Sequence, residues 1–165
     1  MSLEGHDTLN IRPATTPAEI ETIRELFLEY GESLNFDLCF QGFDDELAAL
    51  PGAYAPPAGR LLLALHGEAV AGGVGLRPLS PGVCEIKRLY IRPAYRALKA
   101  GRRLAEAVIA EARLAGYRAM RLDTLPDMKA AQALYASLGF RDIAPYYDNP
   151  IPGARYCELD LSGTR

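Results

Sequence analysis

The sequence EIKRLYIRPAYRALKAGR, residues 85–102, joins a strand, a short turn and the start of a helix. Its apolar residues, together with those just before it, predict a strand over residues 83–91. The alternation of apolar and polar side chains in this strand is imperfect, because charges at Glu85, Lys87 and Arg88 fall on both faces. We therefore expect a β-bulge in the strand, or a place where it separates from its neighbour.

A basic turn of small residues follows the strand and leads into an amphipathic helix. Free backbone N–H groups and the positive end of the helix dipole make such a turn suited to a pyrophosphate. An ordinary helix start with solvated arginines is the alternative interpretation. Gly116 is the expected end of the helix. Six residues at helical spacing predict its buried face: Leu104, Ala105, Val108, Ile109, Ala112 and Ala115.

Upstream, the sequence predicts a strand, a long helix, a helical flap and a hairpin. Thr16, Pro17 and Glu19 combine an N-cap, a proline in the first turn and a reciprocal glutamate, which together mark a helix start. The apolar stripe of this helix continues to Leu34, with fraying expected near Gly31. The other predicted segments are a strand at 8–12, flap turns at 44–50 and hairpin strands at 60–66 and 69–77.

Downstream, a strand, a helix and two further strands complete the chain. Pro126 and Asp127 are expected to start the helix, which runs through Leu138 and ends at Gly139. The predicted strands are residues 117–124, 140–143 and 154–161. This order of elements predicts the α/β class, with a mixed, mostly antiparallel sheet of about six to seven strands flanked by about four helices.

The composition limits the size and the partners of the protein. The chain has 165 residues, 49% of them hydrophobic, so we expect one domain over residues 1–165. Its net charge of -3 argues against binding to nucleic acid or to an anionic membrane surface. No apolar run approaches the roughly 20 residues of a membrane span. The first residues also lack the features of a secretory signal, and the sequence thus predicts a cytoplasmic protein.

Cysteine and histidine are too sparse for several common chemistries. Cys39, Cys84 and Cys157 are scattered and lack the paired spacing of zinc or redox sites, so we expect no metal. The two histidines, His6 and His66, leave few candidate bases for a hydrolase of the Ser-His-Asp or Cys-His type.

Residues 96–101, Arg-Ala-Leu-Lys-Ala-Gly, resemble the acetyl-CoA signature Arg/Gln-x-x-Gly-x-Gly/Ala of the GNAT superfamily of N-acetyltransferases. The resemblance begins at residues 85–93 and continues to ALYASLGF at residues 133–140, which is similar to the family motif Leu-Tyr-x-x-x-Gly-Phe. Lys99 departs from the pattern, because the family usually has its first motif glycine there. A helical turn would accommodate the lysine, with its amine reaching a phosphate. The alternative is a clash that weakens cofactor binding.

The resemblance implies the GNAT fold, whose sheet splays between its two central strands. It also implies an enzyme that transfers an acetyl group from acetyl-CoA to a primary amine of a small molecule or peptide. The end of the strand, Leu89, Tyr90 and Ile91, would then offer backbone groups to the pantetheine arm, with an N–H near Leu89 facing the thioester oxygen. The residues implied to hold the pyrophosphate are Arg96, Ala97, Leu98, Lys99, Ala100, Gly101 and Arg102.

Two residues are candidates for proton transfer. The resemblance implies that Glu85 removes a proton from the amine, often through water. A strand-surface glutamate paired with Lys87 or with an arginine is the alternative. The resemblance also implies that Tyr135 protonates the departing sulfur, and the alternative there is a packed tyrosine with a wet hydroxyl.

Two segments are candidates for the amine pocket, since aromatic walls with a few carboxylates suit a cationic amine. They contain Asp37, Phe40 and Gln41 in the flap, and Tyr146, Tyr147 and Asp148 in a late loop. Packed loop aromatics are the alternative interpretation. Two other functions stay open: a module that binds acyl-CoA without transferring the acyl group, and an interaction domain whose exposed sheet edge forms a homodimer.

Overall fold

A computed structural model describes residues 9–34 and 42–163 of the chain. The strands are β1 (Leu9–Pro13), β2 (Arg60–His66), β3 (Ala69–Ser80), β4 (Val83–Ile91), β5 (Ala119–Thr124), β6 (Arg141–Ile143) and β7 (Arg155–Asp160). The α-helices are α1 (Pro17–Ser33), α2 (Phe43–Ala49), α3 (Ala100–Leu114) and α4 (Lys129–Ser137). Short 3₁₀ helices span Gly52–Tyr54 and Pro93–Leu98.

The strands form one sheet in the order β1-β2-β3-β4-β5-β7-β6. Neighbouring strands are antiparallel except for β4 and β5, which run parallel. The predicted mixed sheet with about four helices is therefore confirmed.

Helices cover both faces of this sheet and create two hydrophobic clusters. On one face, Leu104 and Val108 of α3 pack with Met120 of β5. On the other face, Leu26 and Phe27 of α1 are fully buried against β2 and the turn after α2. Each such side chain contributes roughly 1.5–3 kcal/mol by leaving water. No helix within residues 9–34 and 42–163 is long and apolar enough to cross a membrane.

The start of α1 is as predicted, and its end is not. Thr16 Oγ1 accepts from the Glu19 N–H at 3.2 Å, and Glu19 Oε1 accepts from the Thr16 N–H at 3.0 Å, which completes a capping box. The helix continues through Gly31 to Ser33 instead of fraying at the glycine. A Cβ at Gly31 would lie 2.8 Å from the Phe43 ring, so the glycine allows α2 to pack closely on α1.

The prediction that Pro126 and Asp127 start α4 is wrong, because the helix begins at Lys129. The Met128 N–H donates to the Leu125 carbonyl at 3.0 Å, which closes a separate turn first. This turn delays the helix by a few residues.

The predicted irregularity of β4 is present as a bulge. Lys87 pairs with Gly75 and Tyr90 pairs with Gly73, so Arg88 and Leu89 together oppose a single residue of β3. Arg88 has φ 61°, in the left-handed region. The bulge locally interrupts the ladder between β3 and β4.

Candidate active site

The sheet opens between β4 and β5. Their parallel pairing covers residues 83–85 of β4 and ends with Glu85 opposite Arg121. Beyond this pair a narrow cleft of about 40 Å³ lies between the strands, with Leu89, Asp123 and Tyr135 among its lining residues. The splay between the two central strands, which the resemblance implied, is thus present.

A wider groove of about 500 Å³ adjoins this cleft. It is lined by the end of β4, including Leu89, Tyr90 and Ile91, and by residues of α1, α3 and α4. Tyr30 and Leu89 line both the groove and the cleft. The two cavities therefore form one elongated site with a narrow inner end, a shape that suits a long ligand with a small reactive group.

The backbone at the start of α3 leaves several N–H groups without helical partners. The first hydrogen bond of the helix runs from the Arg103 N–H to the Lys99 carbonyl at 3.1 Å, so the amides before Arg103 have no acceptor within the helix. Lys99 has φ 58° and ψ 29°. A 3₁₀ helix precedes Lys99 and α3 follows it, but Lys99 itself is left-handed, a conformation that glycine adopts without strain. The helical turn expected to accommodate the lysine is therefore interrupted at Lys99 itself.

The side chains of this turn differ in where they lie. Arg96 and Gly101 line the groove, and Arg96 Nε also donates to the Ile91 carbonyl at 3.0 Å. Arg102 donates to Ser137 Oγ at 3.3 Å. Among the remaining predicted residues, Ala97 and Lys99 are exposed, Leu98 is half-buried and Ala100 is buried.

Glu85 is buried at the point where the two strands begin to separate. Its Oε1 accepts from Arg77 Nε at 3.0 Å, and its Oε2 accepts from the Tyr146 hydroxyl at 2.7 Å. The pairing with an arginine that we gave as the alternative is therefore present. Burial and the nearby Glu85 charge raise the pKa of Tyr146, so this hydroxyl stays protonated and donates.

Tyr135 lies on α4 and lines the cleft. Its ring packs edge to face on Phe140, with centroids 5.4 Å apart, and the residue is buried. Burial raises the pKa of Tyr135. The hydroxyl therefore stays protonated and neutral, as a potential hydrogen-bond donor at the wall of the cleft.

Sequence reasoning missed a buried ion pair beside the cleft. Lys87 Nζ lies 3.7 Å from Asp123 Oδ1, and Asp123 Oδ2 accepts from the Tyr147 hydroxyl and from Asn149 Nδ2. Burial and the neighbouring Arg88 lower the pKa of Lys87. Charged residues inside an apolar strand were the available signal for Lys87, but nothing in the local pattern marked Asp123.

A second ion pair missed from the sequence joins α2 to β4. Arg88 donates to both carboxylate oxygens of Glu46, at 3.0 and 3.2 Å. Tyr54 also donates to Glu46, at 3.0 Å. Burial alone would raise the pKa of Glu46, but the hydrogen bond and charge of Arg88 outweigh it and lower the pKa below its usual value.

The structure describes only some of the residues predicted to form the amine pocket. Tyr146 and Tyr147 pack on each other, with ring centroids 5.6 Å apart, and their hydroxyls reach Glu85 and Asp123. Asp148 is exposed. The flap candidates Asp37, Phe40 and Gln41 lie outside the described residues.

Comparison with known proteins gives a consistent result. A model of the Acetyltransferase (GNAT) family matches residues 20–140. An uncharacterized N-acetyltransferase of Schizosaccharomyces pombe is 41% identical over 157 residues, which cover 93% of this chain and 96% of that protein. A GNAT-family acetyltransferase from Staphylococcus aureus Mu50 superposes with a TM-score of 0.75 at 23% identity, covering 93% of this chain and 99% of that one. The yncA protein of Salmonella typhimurium, solved with its cofactor acetyl-CoA, superposes with a TM-score of 0.71 at 21% identity over 93% of this chain and 94% of that one. The chain therefore belongs to the GNAT acetyltransferase family.

Proposed function

We propose that this enzyme transfers an acetyl group from acetyl-CoA to a primary amine of a small molecule or peptide, by direct attack in a ternary complex. The observation that carries the proposal is the opening between β4 and β5, which continues into a groove leading to the start of α3. A groove of about 500 Å³ with a narrow inner end of about 40 Å³ fits a long cofactor with a two-carbon acyl group.

In this proposal the backbone holds the donor. The amides before Arg103 and the positive end of the α3 dipole bind the pyrophosphate, and Arg96 adds a positive charge within the groove. Leu89, Tyr90 and Ile91 lie along the pantetheine arm. An N–H near Leu89 faces the thioester oxygen and stabilises the charge that develops on it.

Side chains at the inner end of the site carry out the two proton transfers of the reaction. Most amines are protonated near neutral pH, so one proton must leave before attack. We assign this step to Glu85, whose carboxylate is kept in place by Arg77 and Tyr146. Tyr135 lines the cleft and supplies a proton to the departing sulfur.

An amine panel tests the activity. Polyamines, amino acids, aminoglycosides and peptides with free N-termini are incubated with the enzyme and acetyl-CoA, and released thiol is measured. We expect thiol release above the rate without amine for at least one class. Binding of acetyl-CoA without thiol release for any class would contradict the transfer activity and would favour an acyl-CoA-binding module.

A further inference from the structure

Arg88 occupies a backbone position that favours glycine. It is the first of the two β4 residues that oppose Val74 of β3, and its φ of 61° is left-handed. In this type of bulge the first residue is usually glycine, because a Cβ strains the left-handed conformation. The surrounding structure must therefore hold Arg88 in place.

The arginine side chain provides such a hold. Its guanidinium forms two hydrogen bonds with Glu46 of α2, and both side chains are buried, with 2% and 9% exposure. The Phe43 ring lies 5.0 Å from the guanidinium carbon and the Tyr30 ring lies 6.0 Å from it. Helices α1 and α2 thus fix the side chain of the residue at which β4 bulges.

The position of Leu89 depends on this arrangement. Leu89 is the second bulge residue, follows Arg88 directly and lines both the cleft and the groove. A bulge that relaxed to regular strand geometry would rotate the Leu89 peptide and shift the direction of its N–H. The direction of this N–H therefore depends on whether Arg88 keeps its left-handed conformation.

We propose that the Arg88–Glu46 ion pair positions the β4 bulge so that the Leu89 N–H polarises the thioester carbonyl of bound acetyl-CoA. Arg88 and Glu46 are positioning residues that act through the backbone at Leu89. This inference rests on the proposed function, since it requires acetyl-CoA in the cleft.

Infrared spectroscopy of bound acetyl-CoA, labelled with ¹³C at the thioester carbonyl, tests the inference without any acceptor amine. In the wild type, hydrogen bonding to the carbonyl shifts its stretch to lower frequency than in water. Glu46→Gln weakens the ion pair, and Arg88→Ala removes it while its Cβ still disfavours the left-handed conformation. In both variants the bulge should relax, so most of the shift is lost. Arg88→Gly also removes the ion pair, but glycine holds the left-handed conformation without strain, so the shift is kept.

The Arg92–Glu29 pair provides a matched control. Like the Arg88–Glu46 pair, it links a helix to β4, here joining α1 to the residue that directly follows the strand. Its two hydrogen bonds are 2.7 and 3.0 Å long, but Arg92 has an ordinary φ of -60°. Glu29→Gln should leave the carbonyl shift unchanged. Calorimetry should show that all the variants bind acetyl-CoA within about threefold of the wild-type affinity, because the lost interaction affects the carbonyl and not the pyrophosphate. Thermal unfolding confirms that each variant is folded.

The outcomes distinguish a failure of the positioning role from a failure of the proposed function. A full shift in Glu46→Gln, or an equal loss in Arg88→Gly and Arg88→Ala, would overturn the positioning role while the wild type still binds acetyl-CoA. A wild type that binds no acetyl-CoA would overturn the proposed function and this inference with it.

Discussion

At the scale of single residues, Arg88 and Lys99 both hold left-handed backbone conformations that glycine adopts freely. Each costs roughly 1–2 kcal/mol relative to an unstrained residue. They lie at the two ends of a segment that contributes to the groove. Arg88 is at the bulge of β4, and Lys99 directly precedes α3. Strain of this kind tends to gather where a backbone must present its N–H groups in a fixed direction.

Replacing Lys99 tests whether its backbone is strained. The free energy of unfolding of Lys99→Gly should exceed that of Lys99→Ala by about 1 kcal/mol, because only glycine adopts the left-handed conformation without strain. Urea unfolding at neutral pH measures the difference. Equal stability of the two variants would show that residue 99 is unstrained.

Replacing Tyr135 tests its role as proton donor. Tyr135→Phe keeps the packing on Phe140 and removes the hydroxyl, so turnover should fall by about tenfold or more while the affinity for coenzyme A stays within about threefold. Steady-state kinetics and calorimetry measure the two effects. Tyr117→Phe is the control, because its hydroxyl bonds to the Ala58 carbonyl away from the cleft. Unchanged turnover in Tyr135→Phe would show that Tyr135 is not the proton donor.

At the scale of elements, the contact between α2 and β4 should depend on pH through Glu46. The pKa of Glu46 is lowered from its usual 4.5, because Arg88 outweighs the effect of burial. A carboxylate with a lowered pKa adds stability above its unfolded-state pKa and loses it as the pH falls through its folded-state pKa.

Glu46→Gln should therefore be less stable than the wild type by about 2 kcal/mol near neutral pH. This gap should shrink as the pH falls below the usual pKa of 4.5. Denaturant unfolding at a series of pH values measures it, with the exposed Glu106→Gln as control. A gap that is constant down to low pH would show that the charge of Glu46 does not stabilise this contact.

The turn before α3 should act mainly on cofactor binding. Arg96→Glu places a negative charge in the groove, so the KM for acetyl-CoA should rise by about tenfold or more with little change in kcat. Arg118→Glu, an exposed arginine beyond α3, is the matched charge reversal. If both variants have the same KM as the wild type, Arg96 does not contact the cofactor.

Sequence patterns predicted most elements because helices and strands leave a periodic record of their buried faces. The capping box at Thr16 predicted the start of α1, and the charged residues on both faces of β4 predicted its bulge. The errors arose where tertiary contacts overrode local signals. The helix continues through Gly31, where the Phe43 ring packs closely, and the Leu125–Met128 turn delays α4.

At the scale of the whole molecule, the sequence indicated the residues of the proposed donor site better than those of the proposed acceptor site. Much of the proposed donor site comes from one continuous stretch, residues 85–102, whose order alone places strand, turn and helix, while α1 and α4 line the rest of the groove. The ion pairs beside the cleft join residues far apart in the chain, such as Arg88 and Glu46, 42 positions apart. No periodic pattern records which distant side chain will be the partner, so these pairs required the folded structure.

A crystal structure of the enzyme with acetyl-CoA tests the central claim most directly. We predict that the diphosphate accepts hydrogen bonds from the amides at the start of α3, and that the thioester lies in the cleft between β4 and β5 with its oxygen facing the Leu89 N–H. A cofactor bound elsewhere, for example in the groove between α1 and the residues following α2, would contradict the account.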